Sequence, residues 1–254
     1  MAAVVRRGFQ AKADRLAADV RRGDLCLGDH DRLDPRALAD EHGIPVHPIT
    51  DLIAAGADPA SIHQLTVTDP RSFSAGTVIT GTARLIIFNP VHSDGRRANS
   101  LAHELAHMFL EHVPGPAIGP GGCRVWDQEM EEEANLLAAM LLVPREAALV
   151  CARIGLPHEV GAARFGVSVD VMRWRTDTSG AKYQAQAEAA KRGRTIPRPS
   201  KADVAAFITK CDLSWLADLS ATEWRVHLRA CARALARGSL DDLVNCLEPP
   251  LGTD

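Results

Sequence analysis

The sequence predicts an α+β fold: a helical domain with a small β-sheet beside one central helix, then further helices toward the C-terminus. Three observations carry this prediction. In Ser100–His112, SLAHELAHMFLEH, apolar Leu101, Leu105, Met108 and Phe109 recur at helical spacing. Before it, Thr77–Thr80 and Ala83–Phe88 are rich in β-branched residues and flank Gly81-Thr82, the pattern of a hairpin. After it, Asp127–Pro144 and several later stretches carry helical patterns bounded by capping residues and prolines.

Taken in order, residues 4–22 set Val5, Phe9, Leu16 and Val20 among charged neighbours, as in an amphipathic helix. Asp34-Pro35 opens a short second helix, with Asp34 as N-cap and Pro35 at the first position. Gly43 ends it, and Ile44–Val46 is extended. From Leu65 to Phe88 the pattern is that of strands, which Asn89-Pro90 terminates because proline cannot continue a ladder. The central helix spans about Arg96 to His112 and stops at Pro114-Gly115-Pro116. Asp127 caps the next helix, whose apolar face is Met130, Ala134, Leu137, Ala138 and Leu141. After Pro144 a helix reaches about Ile154. His158–Arg175 has the outline of a helix-turn-helix, turning at Gly166-Val167-Ser168. Its second helix would offer Arg173 and Arg175 to a DNA groove, a contact that is possible but less favoured than a packed helical hairpin. Gly193–Ser200, GRTIPRPS, reads as a linker. In Ala221–Arg237, Trp224, Leu228, Cys231 and Leu235 form a core stripe, and Arg225, Arg229, Arg233 and Arg237 a solvated face.

The chain has 254 residues and a formal charge of −3, which favours neither a polyanion nor a membrane surface as partner. Its six cysteines form no C-x-x-C pair and read as reduced thiols. Charges at Arg6, Arg7, Lys12, Asp14 and Arg15 interrupt any signal-peptide core, so the expected location is the cytoplasm.

Chemistry concentrates at His103-Glu104-Leu105-Ala106-His107, an H-E-x-x-H pattern. Histidines four apart on a helix lie almost over one another and reach one metal ion. Glu104 sits one step round from His103, placed to take a proton from the attacking water. A catalytic zinc site needs a third protein ligand. The longer H-E-x-x-H-x-x-G-x-x-H pattern would need Gly and His where Leu110 and Val113 stand. His112, five residues past His107, reads as a surface residue. The third ligand is therefore expected to be an acid on the following helix, among Glu131, Glu132 and Glu133.

Arg84–Asn89, Ser100–His107 and Glu131-x-Glu133-Ala134-Asn135-x-x-Ala138-Ala139-x-Leu141-Leu142-x-Pro144 together resemble the ImmA/IrrE metallopeptidases. That family shows a hairpin ending in Asn, a T-x-x-H-E-L-G-H helix and E-x-E-A-N-x-F-A-A-x-L-L-M-P. Here Ser100, Ala106, Leu137 and Val143 replace Thr, Gly, Phe and Met, and none of these changes removes a ligand or the base. The resemblance implies a zincin-like metallopeptidase fold whose third ligand is Glu. It also implies cleavage of helix-turn-helix repressor proteins in stress or mobile-element responses. Mapped residue by residue, it makes His103 and His107 zinc ligands, Glu104 the general base and Glu131 the third ligand, with Glu133 the runner-up. Glu131 lies four before Asn135, which would orient it.

The domain reading is a metallopeptidase domain at 1–155, a helix-turn-helix-like segment at 156–192, a linker at 193–200 and a helical region at 201–254. A substrate would add as a strand at the hairpin edge near Arg84–Phe88. His47, His63 and His92 are candidates to stabilise the oxyanion, and the one tyrosine, Tyr183, lies far along the chain. Cys123, between the two site helices, reads as a plain loop cysteine, with a thiolate reaching the open metal position as the less favoured reading. The competing function is a regulatory or DNA-binding protein that keeps zinc for folding; a base at Glu104 argues against it.

Overall fold

Apolar residues on one side of α1 (Phe9–Leu25), namely Phe9, Ala13, Ala17 and Val20, are buried as the helical spacing requires. The computed structural model describes residues 8–80, 83–112, 127–209 and 211–249. The chain divides into two units, Met1–Cys26 with Leu33–Leu142, and Leu27–Arg32 with Val143–Asp254.

In the first unit Asp34 caps α2 (Pro35–Glu41), its carboxylate accepting from the Arg36 amide at 2.9 Å. The extended segment after it is β1 (Val46–Pro48). Asp58 caps α3 (Pro59–His63), and Gln64–Thr68 then continues as one turn of π-helix. Strand had been expected from Leu65, but the Thr66 hydroxyl bonds back to the Ile62 carbonyl at 2.8 Å and holds the helical path. Strands begin only at β2 (Ala75–Thr80), antiparallel to β3 (Ala83–Phe88) with Thr77 opposite Ile86. The turn Gly81-Thr82 lies outside the described residues.

β1 pairs with β3 in parallel, Val46 opposite Ile86, so the order is β1-β3-β2 among the described residues. This corrects the expected substrate edge. Ile86–Phe88 are covered on one side by β1 and on the other by β2, and the free edge of the hairpin belongs to β2. Asn89, fully buried, explains why an asparagine closes the hairpin. Its Nδ2 donates to the carbonyls of Leu65, Pro70 and Phe73 at 2.8, 3.3 and 3.1 Å, tying down the loop that feeds β2.

The central helix is α4 (Asp94–Phe109), with Leu101, Ala102, Leu105 and Ala106 buried. It packs against β2, β3 and α5 (Gln128–Leu142). Helix α5, buried on nearly every side from Glu133 onward, also packs on α1. The Asp127 carboxylate accepts from the Glu129 and Met130 amides at 3.0 and 3.3 Å, the expected cap. Mostly helical and with a three-stranded sheet beside α4, the chain has the α+β, zincin-like architecture that the sequence predicts.

The second unit holds α6 (Arg145–Ile154), α7 (His158–Phe165), α8 (Val169–Thr178), α9 (Ala181–Lys191), α10 (Lys201–Ile208), α11 (Ala221–Arg237) and α12 (Leu240–Cys246). Helix α6 packs on α8, α9 and α11. The α7–α8 pair has the helix-turn-helix outline, with Ser168 capping α8 through the Val171 amide. Arg173 is exposed and paired with Asp170, whereas Arg175 is buried and donates to the Val143 carbonyl at 2.9 Å. One of the two arginines offered to a DNA groove is thus turned inward. Lys182, Lys191 and Arg192 lie on or beside α9, which Arg153 clamps through two bonds to Glu188 at 2.8 and 3.0 Å. The 193–200 stretch packs its Pro197 carbonyl against Gly155, where a Cβ would come within 2.1 Å of that oxygen. On α11, Trp224, Leu228, Cys231 and Leu235 are buried and the four arginines exposed. No single helix among the described residues is long and apolar enough to cross a membrane.

Candidate active site

One helical turn separates His103 from His107 on α4, and their Nε2 atoms come within 3.0 Å. Glu131, in the first turns of α5, brings Oε2 to 3.1 Å from His103 Nε2 and Oε1 to 3.6 Å from His107 Nε2. The three side chains are 17–22% exposed, open enough for a ligand to arrive yet shielded enough to strengthen electrostatics. All their donor atoms lie within 4.8 Å of one another. Two ligands at about 2.1 Å from a tetrahedral ion stand about 3.4 Å apart, so these separations suit one small divalent ion. Two imidazoles and one carboxylate are also a donor set that zinc accepts.

Glu104 is not among the clustered donors. Its Oε2 accepts a hydrogen bond from Thr77 Oγ1 of β2 at 2.7 Å. The edge strand therefore holds one oxygen of the carboxylate and leaves Oε1 as the second acceptor. Nothing in the sequence marks Thr77 for this role: it is one β-branched residue in a strand full of them.

The remaining acids and histidines are sorted by the two helices. Glu131 and Glu133, two apart on α5, project about 200° from each other, so one helix face cannot carry both into the cluster. Glu133 is buried and sits by His112, Oε2 to Nε2 3.4 Å. Glu132 bonds to Gln128 at 2.9 Å. His112 is not the surface residue expected: its side chain is 9% exposed, and its Nδ1 is 2.9 Å from Nδ1 of His107. What turns it back is Glu111, whose φ of +54° ends α4 in a left-handed residue. Asn135, expected to orient Glu131, is exposed.

None of the oxyanion candidates joins the cluster. His92 is buried against the Pro70 carbonyl at 2.8 Å, His47 faces Asp51 and His63 faces Thr68. Tyr183 is 73% exposed on α9 of the second unit. Cys123 lies outside the described residues.

No curated protein and no solved structure matches the chain. A family model does: Peptidase_M78, described as the IrrE N-terminal-like domain, matches residues 56–177. That span takes in the sheet from β2, the H-E-x-x-H helix and α5, so the clustered donors, Glu104 and Thr77 all come from it. Residues 56–177 thus carry a Peptidase_M78, IrrE N-terminal-like, domain, in agreement with the resemblance to the ImmA/IrrE metallopeptidases.

Proposed function

We propose that this chain is a zinc-dependent endopeptidase that cuts a partner protein, a helix-turn-helix transcriptional repressor, and so relieves repression. The observation that carries the reading is the division of labour on α4. His103 and His107 converge with Glu131, while Glu104 is held apart from them by Thr77. A structural zinc site has no use for a neighbouring carboxylate that ligates nothing.

Bound at the three donors, zinc supplies Lewis acidity, which makes water nucleophilic near neutral pH and polarises a carbonyl. The protein's own residues do the rest. Glu104 takes the proton of the attacking water at Oε1, because Thr77 engages Oε2. It then returns that proton to the departing amine, so one carboxylate serves as base and acid in turn. The free edge of β2, which carries Thr77, offers its backbone to an extended peptide. A peptide paired there would lie beside the base.

The test uses the purified chain, zinc and the candidate repressor, with cleavage followed by mass spectrometry. Glu104→Gln should keep about one zinc per chain and lose about two to four orders of magnitude in rate, the usual worth of general acid–base catalysis. Normal cleavage by Glu104→Gln would overturn the mechanism. Digestion of unrelated proteins at comparable rates would overturn the assigned substrate class.

A further inference from the structure

We propose that His112 and Glu133 form a relay that fixes the tautomer and orientation of His107 as a metal ligand. The inference rests on the metal-site reading above. It concerns residues outside the cluster, and three features of the structure converge on it.

The first is contact. Nδ1 of His112 lies 2.9 Å from Nδ1 of His107, with ring centroids 5.0 Å apart at 66°. Behind it, His112 Nε2 lies 3.4 Å from Glu133 Oε2. The second is burial: the side chains of His112 and Glu133 are 9% and 8% exposed, less than any side chain of the cluster itself. The third is the backbone. Glu111 adopts a left-handed conformation that glycine takes freely and glutamate does not. That turn places the His112 amide on the His107 carbonyl at 2.9 Å and its ring edge-on to the His107 ring. Strain of this kind persists where the surrounding structure demands it.

The proton count then runs one way. Two Nδ1 atoms at this distance share one proton between them. If His107 carries it, Nε2 of His107 presents a lone pair to the cluster, which is what a ligand needs. His112 then accepts at Nδ1 and carries its own proton on Nε2, the atom that faces Glu133. Glu133 Oε2 offers an acceptor to that Nε2 proton, and so favours this polarity. The opposite polarity would put a proton on His107 Nε2, aimed at the cluster, and no ion could bind there. His103 has no such support: its Nδ1 is buried without a hydrogen-bond partner among the described residues. The two ligand histidines are therefore not equivalent, and His107 is the one held in place.

Zinc affinity, measured by competition with a chromophoric chelator, reads the relay without relying on turnover. His112→Leu keeps the volume and removes the acceptor, and should weaken zinc binding roughly ten- to a hundredfold, the range for outer partners of metal ligands. Glu133→Gln, isosteric, should weaken it several-fold. Because Glu133 acts through His112, the double variant should bind as His112→Leu alone does. Nitrogen NMR of the zinc-loaded protein should show His107 protonated at Nδ1. Melting of the metal-free variants separates a lost relay from a lost fold, and if His112→Leu does not fold, Glu133→Gln alone decides. Unchanged affinity in folded variants, or additive losses in the double variant, would overturn the relay and leave the metal site standing. If the unaltered protein binds zinc no better than His103→Ala, the metal reading falls and the relay with it.

Discussion

At the clustered site of the first unit, polar side chains that leave the solvent meet one another, whereas Asn89 and His92 elsewhere in that unit meet backbone carbonyls. His103 and His107 meet Glu131, Glu104 meets Thr77, and His112 meets both His107 and Glu133. The buried arginines of the second unit meet the backbone instead. Arg164, 1% exposed, donates to the carbonyls of His30, Leu216 and Ala217 at 2.7, 3.4 and 3.3 Å. Arg175, fully buried, donates to the Val143 carbonyl. A carbonyl neither titrates nor changes partner in a reaction, so these bonds hold segments together. Side chains facing side chains can exchange protons and ligate ions, and there the chemistry gathers. The contrast lies in partner type and not in burial, since both sets are largely shielded.

The largest effect that could break this contrast concerns the adjacent acids of α5. Glu131→Ala should weaken zinc binding more than about a hundredfold, beyond the range set by outer partners, and abolish cleavage. Glu132→Ala, whose partner is Gln128, should change neither by more than about twofold. Metal analysis and a cleavage assay on both variants decide it, and equal losses would dissolve the assignment. Next comes Arg175→Leu, which strips a buried carbonyl of a charged donor. It should cost about 1.5–3 kcal/mol in denaturant unfolding and leave the rate per folded molecule unchanged. A fall in rate at constant stability would place chemistry in the second unit.

Much of this arrangement was legible in the sequence, and the boundary of legibility is physical. Spacing of four residues on a helix dictates that His103 and His107 converge, so that pair needed no tertiary information. The N-caps of Asp34 and Asp127 are equally local, and each forms as its neighbours require. Glu131 was separable from Glu133 only through the resemblance, because the choice depends on how α5 is rotated against α4. Parallel pairing of β1 with β3 joins residues about forty apart, and no local pattern encodes it. That pairing is what moved the free edge to β2. Helical geometry places His112 on the surface, but Glu111 leaves that geometry one residue earlier, and nothing in its side chain announces the left-handed turn. Leu65–Thr68 was misread because β-branched residues are the weaker signal beside a proline-started, Asp-capped helix.

A smaller effect sharpens the contrast at the base itself. Thr77→Val removes the hydroxyl on Glu104 and should lower kcat about tenfold with KM little changed, the worth of one charge-assisted hydrogen bond. Thr77→Ser should restore most of it. A change confined to KM would mean that Thr77 serves the substrate strand and not the base. The smallest effect is acid sensitivity of the second unit, where burial pushes the imidazoles of His30 and His158 below their ordinary value of 6.5. Below about pH 6.5 the unfolded chain takes up protons that the folded chain refuses. Stability is thus full above that pH and declines as pH falls toward the folded values. His158→Gln should flatten the decline in urea midpoints measured from pH 7.5 to 5.5, and an unaltered slope would remove His158 from the account.

The donors of the cluster come from two helices, and His107 and Glu131 are 24 positions apart in the chain. An ion shared by them is therefore a cross-link that closes a loop, as well as a reagent. Unlike a disulfide, such an ion leaves the unfolded chain free and stabilises the fold through its own binding, by about 2.7 kcal/mol at a hundred times its dissociation constant. The entropy of bringing the two helices together depends only logarithmically on the chain between them: doubling that segment would cost only about 0.6 kcal/mol. The connection between the helices can thus grow or shrink by many residues with the ion still held. Chain length between the two helices is free to vary, and their registry at His103, His107 and Glu131 is not.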